Sequence, residues 1–150
     1  MFLEEIFPTP IWGFDLDVDV DSIKYWCYSC MKENPGRVIS NVGGWQSEDY
    51  REFGNTPLTE LVLYIVKESH NIANDIGIPK GDRWIENLWI NINPKYSYNQ
   101  VHVHPEARLS GVFYVSAPEK SGDICFTRPN GYSLGTVAPN STRYSSCEWC

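Results

Sequence analysis

The sequence predicts a mostly β domain, an antiparallel sandwich or barrel with helices flanking one side, and three observations carry that expectation. Helical periodicity is confined to the first half of the chain. From Asn87 onward the apolar residues alternate with period two. The segments there are short, closely spaced and separated by turn residues, which is the rhythm of a layered antiparallel sheet rather than of β-α-β units.

Residues 2–6 and 11–15 read as short strands around Pro8 and Pro10. Ser22 is the expected N-cap of a first helix reaching about Lys32. Its Ile23, Trp26, Cys27, Cys30 and Met31 follow the spacing i, i+3, i+4, i+7, i+8. Residues 41–47, Asn-Val-Gly-Gly-Trp-Gln-Ser, form a turn-rich loop. The second helix has the stronger signals. Thr56 caps it, Pro57 suits its first turn, and Leu58, Leu61, Val62, Ile65, Ile72 and Ile76 line one face before Gly77 and Pro79 stop it. Residues 87–93 then place Leu88, Ile90 and Ile92 on one face of a strand and Trp89, Asn91 and Asn93 on the other. Residues 101–104, 109–116 and 123–127 read as further strands.

The 150 residues are expected to form a single domain, with N-terminal strands and two supporting helices over 1–80 and the sheet strands over 81–150. A composition that is 42% hydrophobic and 21% charged belongs to a globular chain with its own core. Nineteen acidic against twelve basic residues leave a net charge of −7, which gives no electrostatic attraction to nucleic acid or an anionic membrane. The longest apolar run, residues 61–66, is far short of the roughly 18 residues of a membrane span, and the acidic start of the chain is unlike a signal peptide. The expected location is therefore cytoplasmic. There the five cysteines would stay reduced and the sequon at Asn140 would go unused.

The sharpest chemical feature is Gln100-Val-His-Val-His104. On a strand, residues i and i+2 point the same way, so His102 and His104 aim two imidazoles into one space, as a divalent-metal site needs. The bland alternative is a pair of surface or hydrogen-bonded histidines. A third ligand has no clear spacing signal: His70 falls on the second helix, Glu106 lies nearby in sequence, and Asp123 sits on a later strand. Two C-x-x-C pairs, Cys27/Cys30 and Cys147/Cys150, offer a rival structural zinc site, although the interval between them far exceeds ordinary ligand spacing. Buried thiols are the simpler account of the first pair, and Cys125 needs no special role. Trp84 and Trp89 suit a core or a barrel mouth.

Several stretches in register carry a resemblance. They are residues 6–12 (Ile-Phe-Pro-Thr-Pro-Ile-Trp), 40–47 (Ser-Asn-Val-Gly-Gly-Trp-Gln-Ser), 88–93 (Leu-Trp-Ile-Asn-Ile-Asn), 102–115 (His-Val-His-Pro-Glu-Ala-Arg-Leu-Ser-Gly-Val-Phe-Tyr-Val) and 121–126 (Ser-Gly-Asp-Ile-Cys-Phe). Over roughly residues 1–128 the chain resembles a family of iron(II)/2-oxoglutarate-dependent oxygenases found in phages and marine bacteria and related to the prolyl hydroxylases. The resemblance implies a double-stranded β-helix (jelly roll) that binds Fe(II) and takes 2-oxoglutarate as co-substrate. It also implies a phage-encoded protein working in the host cytoplasm, which hydroxylates an unactivated C–H bond of a small-molecule or peptidyl substrate.

Carried over residue by residue, His102 matches the first metal ligand, and His104 stands where the wider superfamily has Asp or Glu. Tyr114 matches a tyrosine that reaches the distal carboxylate of the co-substrate, while Asn91 and Gln100 would line the same cavity by strand direction. The family continues with a last histidine and an arginine that pairs with 2-oxoglutarate, but this chain has no histidine after His104. Either the jelly roll is incomplete at the C-terminus and the chain truncated and inactive, or residues 137–143 are a shortened remnant, with Gly135 in the histidine's place and Arg143 as the arginine. Truncation is the expectation, because the interval after His104 is short for closing a barrel. An unfinished barrel would leave sheet edges open to a second copy, making a homodimer. Two other readings stand beside the oxygenase: a non-catalytic jelly-roll module, and the structural zinc protein.

Overall fold

The computed structural model describes residues 10–79 and 85–126. The chain divides into two compact units, Met1–Val115 and Ser116–Cys150. The described residues of the first unit hold two helices and two small antiparallel ladders. Among those of the second, the ordered local feature is a turn in which Ser121 N–H and Oγ–H both donate to the Pro118 carbonyl, at 3.1 and 2.5 Å.

Helix α1 spans Val20–Glu33. Its N-cap is Asp19 rather than Ser22: the Asp19 carboxylate accepts from the Ser22 N–H at 3.0 Å and from the Ser22 hydroxyl at 2.6 Å. A capping carboxylate outcompetes a hydroxyl because it also neutralises the positive end of the helix dipole. Those hydrogen bonds hold the Asp19 pKa below the ordinary aspartate value. The inward face is Ile23 and Cys27, as the periodicity predicts.

Helix α2 spans Thr59–Asp75. Thr56 does not cap it directly. The Thr56 hydroxyl accepts from the Leu58 N–H at 3.2 Å in the turn before the helix, and the Thr59 hydroxyl ties that turn to the Phe53 carbonyl at 2.7 Å. The C-terminus closes as expected around Gly77. Its φ of +73° lets Gly77 N–H reach the Asn74 carbonyl and Ile78 N–H the Ala73 carbonyl, the paired bonds of a Schellman motif.

The ladders join segments far apart in sequence. Strand β1 (Asn41–Val42) pairs with β4 (Tyr98–Asn99), and β2 (Trp45–Gln46) pairs with β3 (Asn91–Ile92), both antiparallel. Single bridges extend the second ladder at Arg37–Gln46 and Tyr50–Leu88. The loop expected at 41–47 thus holds a tight turn that connects strands of two different ladders. Gly43, at φ +73°, makes the turn, and the buried Asn41 side chain organises it by accepting from Ile39 N–H and donating to the Arg37 and Gly44 carbonyls. The core of the first unit is Ile23 and Cys27 of α1, Leu58 and Leu61 of the α2 start, and Ile90. Leu88 and Ile92 pack against it, so the face predicted from the alternation of 88–92 is the face that is buried.

Of the remaining expected strands, residues 2–6 lie outside the described residues, and 11–15 have no ladder partner. Residues 101–104, 109–116 and 123–126 carry no ladder among the described residues either. The burial alternation of a strand nevertheless persists at 112–115, where Phe113 and Val115 pack on the core while Val112 and Tyr114 are exposed. Periodicity reports which side chains seek the core, whereas a ladder needs a partner backbone as well. The small antiparallel sheets and two helices are therefore present, and the described residues do not complete a jelly roll. No helix among them is long and apolar enough to cross a membrane.

Candidate metal centre

Two anchors bring residues 100–110 back to the ladders. Gln100 N–H donates to the Ser40 carbonyl at 2.7 Å, directly after β4, and so fixes the chain at the start of the His-Val-His stretch. Next, Pro105 and Glu106 reverse the direction, Glu106 adopting φ +69°, so that Ser110 returns to His104. Between these anchors the rings of His102 and His104 approach with centroids 4.9 Å apart, tilted by 45°. Trp89 presents its ring edge-on to His104 at 5.3 Å. The alternation about Ile90 explains the placement: with Ile90 turned into the core, Trp89 faces the opposite way, toward the histidines.

Both imidazoles are held through Nδ1. His102 Nδ1 lies 2.7 Å from the Gln100 carbonyl, an acceptor only, so this nitrogen carries the proton and Nε2 keeps its lone pair. His104 Nδ1 is hydrogen-bonded to the Ser110 hydroxyl. His104 Nε2 is buried and has no hydrogen-bond partner among the described residues. A buried ring nitrogen without a partner is costly in a native fold and calls for an explanation. Burial first, and then the neighbouring His102, hold the His104 pKa below the ordinary histidine value and so favour the neutral ring that can ligate. The donor set therefore fits a divalent transition metal.

No group of three His, Cys, Asp or Glu side chains able to hold a metal occurs among the described residues. His70 is committed to its own helix, with Nδ1 2.7 Å from the Val66 carbonyl. Glu106 is exposed on the turn, and Asp123 belongs to the second unit. Asn91 joins a different cluster: its Oδ1 accepts from Asn99 Nδ2 at 3.3 Å, and Asn99 Oδ1 accepts from Asn93 Nδ2 at 2.8 Å. Gln100 contributes its backbone to the site, through the carbonyl on His102. Tyr114 is 55% exposed, and no hydrogen bond or ring contact joins it to the histidines. Arg143, the Gly135 position, Trp84, Cys147 and Cys150 lie outside the described residues. Sequence reasoning missed Ser110 and the edge-on role of Trp89. The turn chemistry of His-Pro-Glu-Ala after His104 was the available signal that a later residue folds back onto the ring.

The cysteines do not form a comparable site within the first unit. Cys27 and Cys30 are free thiols. Burial, with a smaller contribution from Cys30, pushes the Cys27 thiol up to about 11, away from the thiolate that zinc requires. Cys125 is disulfide-bonded. Cysteine count and spacing do not by themselves assign pairing.

No curated protein and no solved structure matches the chain. Residues 87–148 match the model of a family described as "Putative 2OG-Fe(II) oxygenase". That span takes in β3, β4, both histidines, Ser110 and Tyr114. The stretch that carries the histidine pair is thus similar to that family, whose printed description names the iron and the 2-oxoglutarate that two imidazoles alone do not specify.

Proposed function

We propose that the chain is a non-haem Fe(II)/2-oxoglutarate-dependent oxygenase that hydroxylates an unactivated C–H bond of a small-molecule or peptidyl substrate. The observation that carries this reading is the convergence of His102 and His104, each tied through Nδ1, with His104 Nε2 buried and unpartnered among the described residues. The family match over the same residues supports the reaction type.

In this reading His102 and His104 hold the iron through their Nε2 atoms. When bound, Fe(II) with 2-oxoglutarate supplies the oxygen-dependent oxidation. The protein's own residues supply position and shielding. The Gln100 carbonyl and the Ser110 hydroxyl fix the two ring planes, and the Trp89 ring edge keeps one flank of His104 from water. Tyr114, Asn91, Gln100 and, beyond the described residues, Arg143 are the proposed contacts to the keto acid. Tyr114 and Arg143 would meet its carboxylate as charge-assisted hydrogen-bond donors. The protein acts in the cytoplasm, and a homodimer is its proposed assembly.

Anaerobic addition of Fe(II) and then 2-oxoglutarate tests this reading. A visible metal-to-keto-acid charge-transfer band is expected for the wild-type protein and is lost in His102→Ala. Absence of the band in the wild type overturns the oxygenase and leaves a non-catalytic module. Bound metal that survives His102→Ala but is lost in Cys27→Ser would support the zinc protein.

A further inference from the structure

We propose that Ser110 is a positioning residue of the metal centre: its hydroxyl accepts the Nδ1 proton of His104 and thereby sets the tautomer that presents Nε2 as a ligand. This inference rests on the metal-centre reading above and assigns the residue that prepares it.

Three observations carry the assignment. First, the bond from His104 Nδ1 to Ser110 Oγ spans six residues across a turn built by Pro105 and Glu106, so it is a tertiary contact and not a by-product of local helix or strand geometry. Second, the nitrogen left over, Nε2, is buried and has no partner among the described residues. If Nε2 carried the proton, a buried N–H donor would be orphaned, which is unfavourable. If Nδ1 carries it, the hydroxyl takes the proton and Nε2 offers a lone pair, which a cation can satisfy. Third, His102 shows the same arrangement with its acceptor fixed beyond doubt by chemistry, because the Gln100 carbonyl can only accept. The two rings, 4.9 Å apart, then present the same nitrogen. The backbone carbonyl orients one ligand and the serine hydroxyl the other. A hydroxyl also rotates to suit its partner, so Ser110 can follow small movements of the ring as metal enters.

Ser110 is exposed, so Ser110→Ala removes the acceptor at little expense to the core. Two measurements test the assignment. Long-range ¹⁵N–¹H correlation spectra of the metal-free protein report the tautomer of His104. The Nδ1–H form is expected in wild type and in Ser110→Thr, and a mixture or the Nε2–H form in Ser110→Ala. Titration with Co(II), followed by its visible d–d absorption, reads affinity: Ser110→Ala is expected to bind about 10–100-fold more weakly than wild type, and Ser110→Thr to restore it. Wild-type protein that takes Co(II) no more tightly than Ser110→Ala, or a His104 ring protonated on Nε2 in the wild type, overturns the role of Ser110 while leaving the metal centre standing. Wild-type protein that takes no Co(II) overturns the metal centre and this assignment together.

Discussion

Replacing Ile90 by alanine tests whether the β3 segment is held by the helices, as its burial indicates. Ile90 is 8% exposed and packs with Ile23, Cys27, Leu58 and Leu61. Its main chain exchanges hydrogen bonds with Ser47, whose N–H donates to the Ile90 carbonyl at 3.0 Å and whose hydroxyl accepts from the Ile90 N–H at 2.9 Å. Those bonds survive the substitution, so the variant isolates side-chain packing. About three methylene equivalents are lost, at about 0.8 kcal/mol each, giving about 2.4 kcal/mol of transfer free energy. The residual cavity brings the total to about 3 kcal/mol, within the range for such truncations. That is a large share of the roughly 5–15 kcal/mol that stabilises an ordinary domain. In urea, with a slope of about 2 kcal/mol per molar, the midpoint falls by about 1.5 M at unchanged slope. Leu63→Ala serves as the control, since Leu63 lies on α2 at 66% exposure and is expected to change stability by no more than about 0.5 kcal/mol. Equal midpoints for the two variants would refute the packing described for the first unit.

Two further outcomes follow from the loop that β2 closes. Gly36 has φ +72°, and an added Cβ would lie against the Trp45 indole and 2.6 Å from the Gln46 carbonyl, so Gly36→Ala is expected to cost about 1–3 kcal/mol in urea unfolding; an unchanged midpoint contradicts the geometry. Asp49 is held below the ordinary aspartate range first by its hydrogen bond to Arg37, with Asn87 adding a second at 3.2 Å. A carboxylate depressed in the fold contributes stability that is fully present above the unfolded pKa of about 3.9 and is lost as pH falls through the folded value. Asp49→Asn should therefore be less stable than wild type at neutral pH and converge with it at the acid end. Parallel curves across that range would show that the pair does not act through ionisation.

The sequence made some of this arrangement legible and hid the rest for physical reasons. Periodicity located both helices and the inward face of 88–92, because burial of apolar side chains is a local pattern in the chain. The close of α2 at Gly77 was readable because the left-handed turn there favours glycine. The choice of Asp19 over Ser22 as cap was not, since both residues suit the position. The pairing of β1 with β4 and of β2 with β3 was hidden as well: it depends on contacts between residues 41 and 99 and between 46 and 91, which no local window contains. The two-residue His-x-His spacing predicted neighbouring rings on a strand; the rings lie 4.9 Å apart, although residues 101–104 carry no ladder among the described residues. The partners that orient the rings came from a backbone carbonyl and a hydroxyl six residues away, neither of which has a spacing signature.

The position of Ile90 has an implication for how the molecule is built in time. The segment that carries the family match contains one wall of the core, while the opposing wall, Ile23, Cys27, Leu58 and Leu61, comes from the preceding half of the chain. Without that preceding half, Leu88, Ile90 and Ile92 would lose the wall formed by Ile23, Cys27, Leu58 and Leu61. The ladders that hold the histidine stretch thus join residues 40 or more apart in sequence, and such long-range contacts form slowly by comparison with a helix.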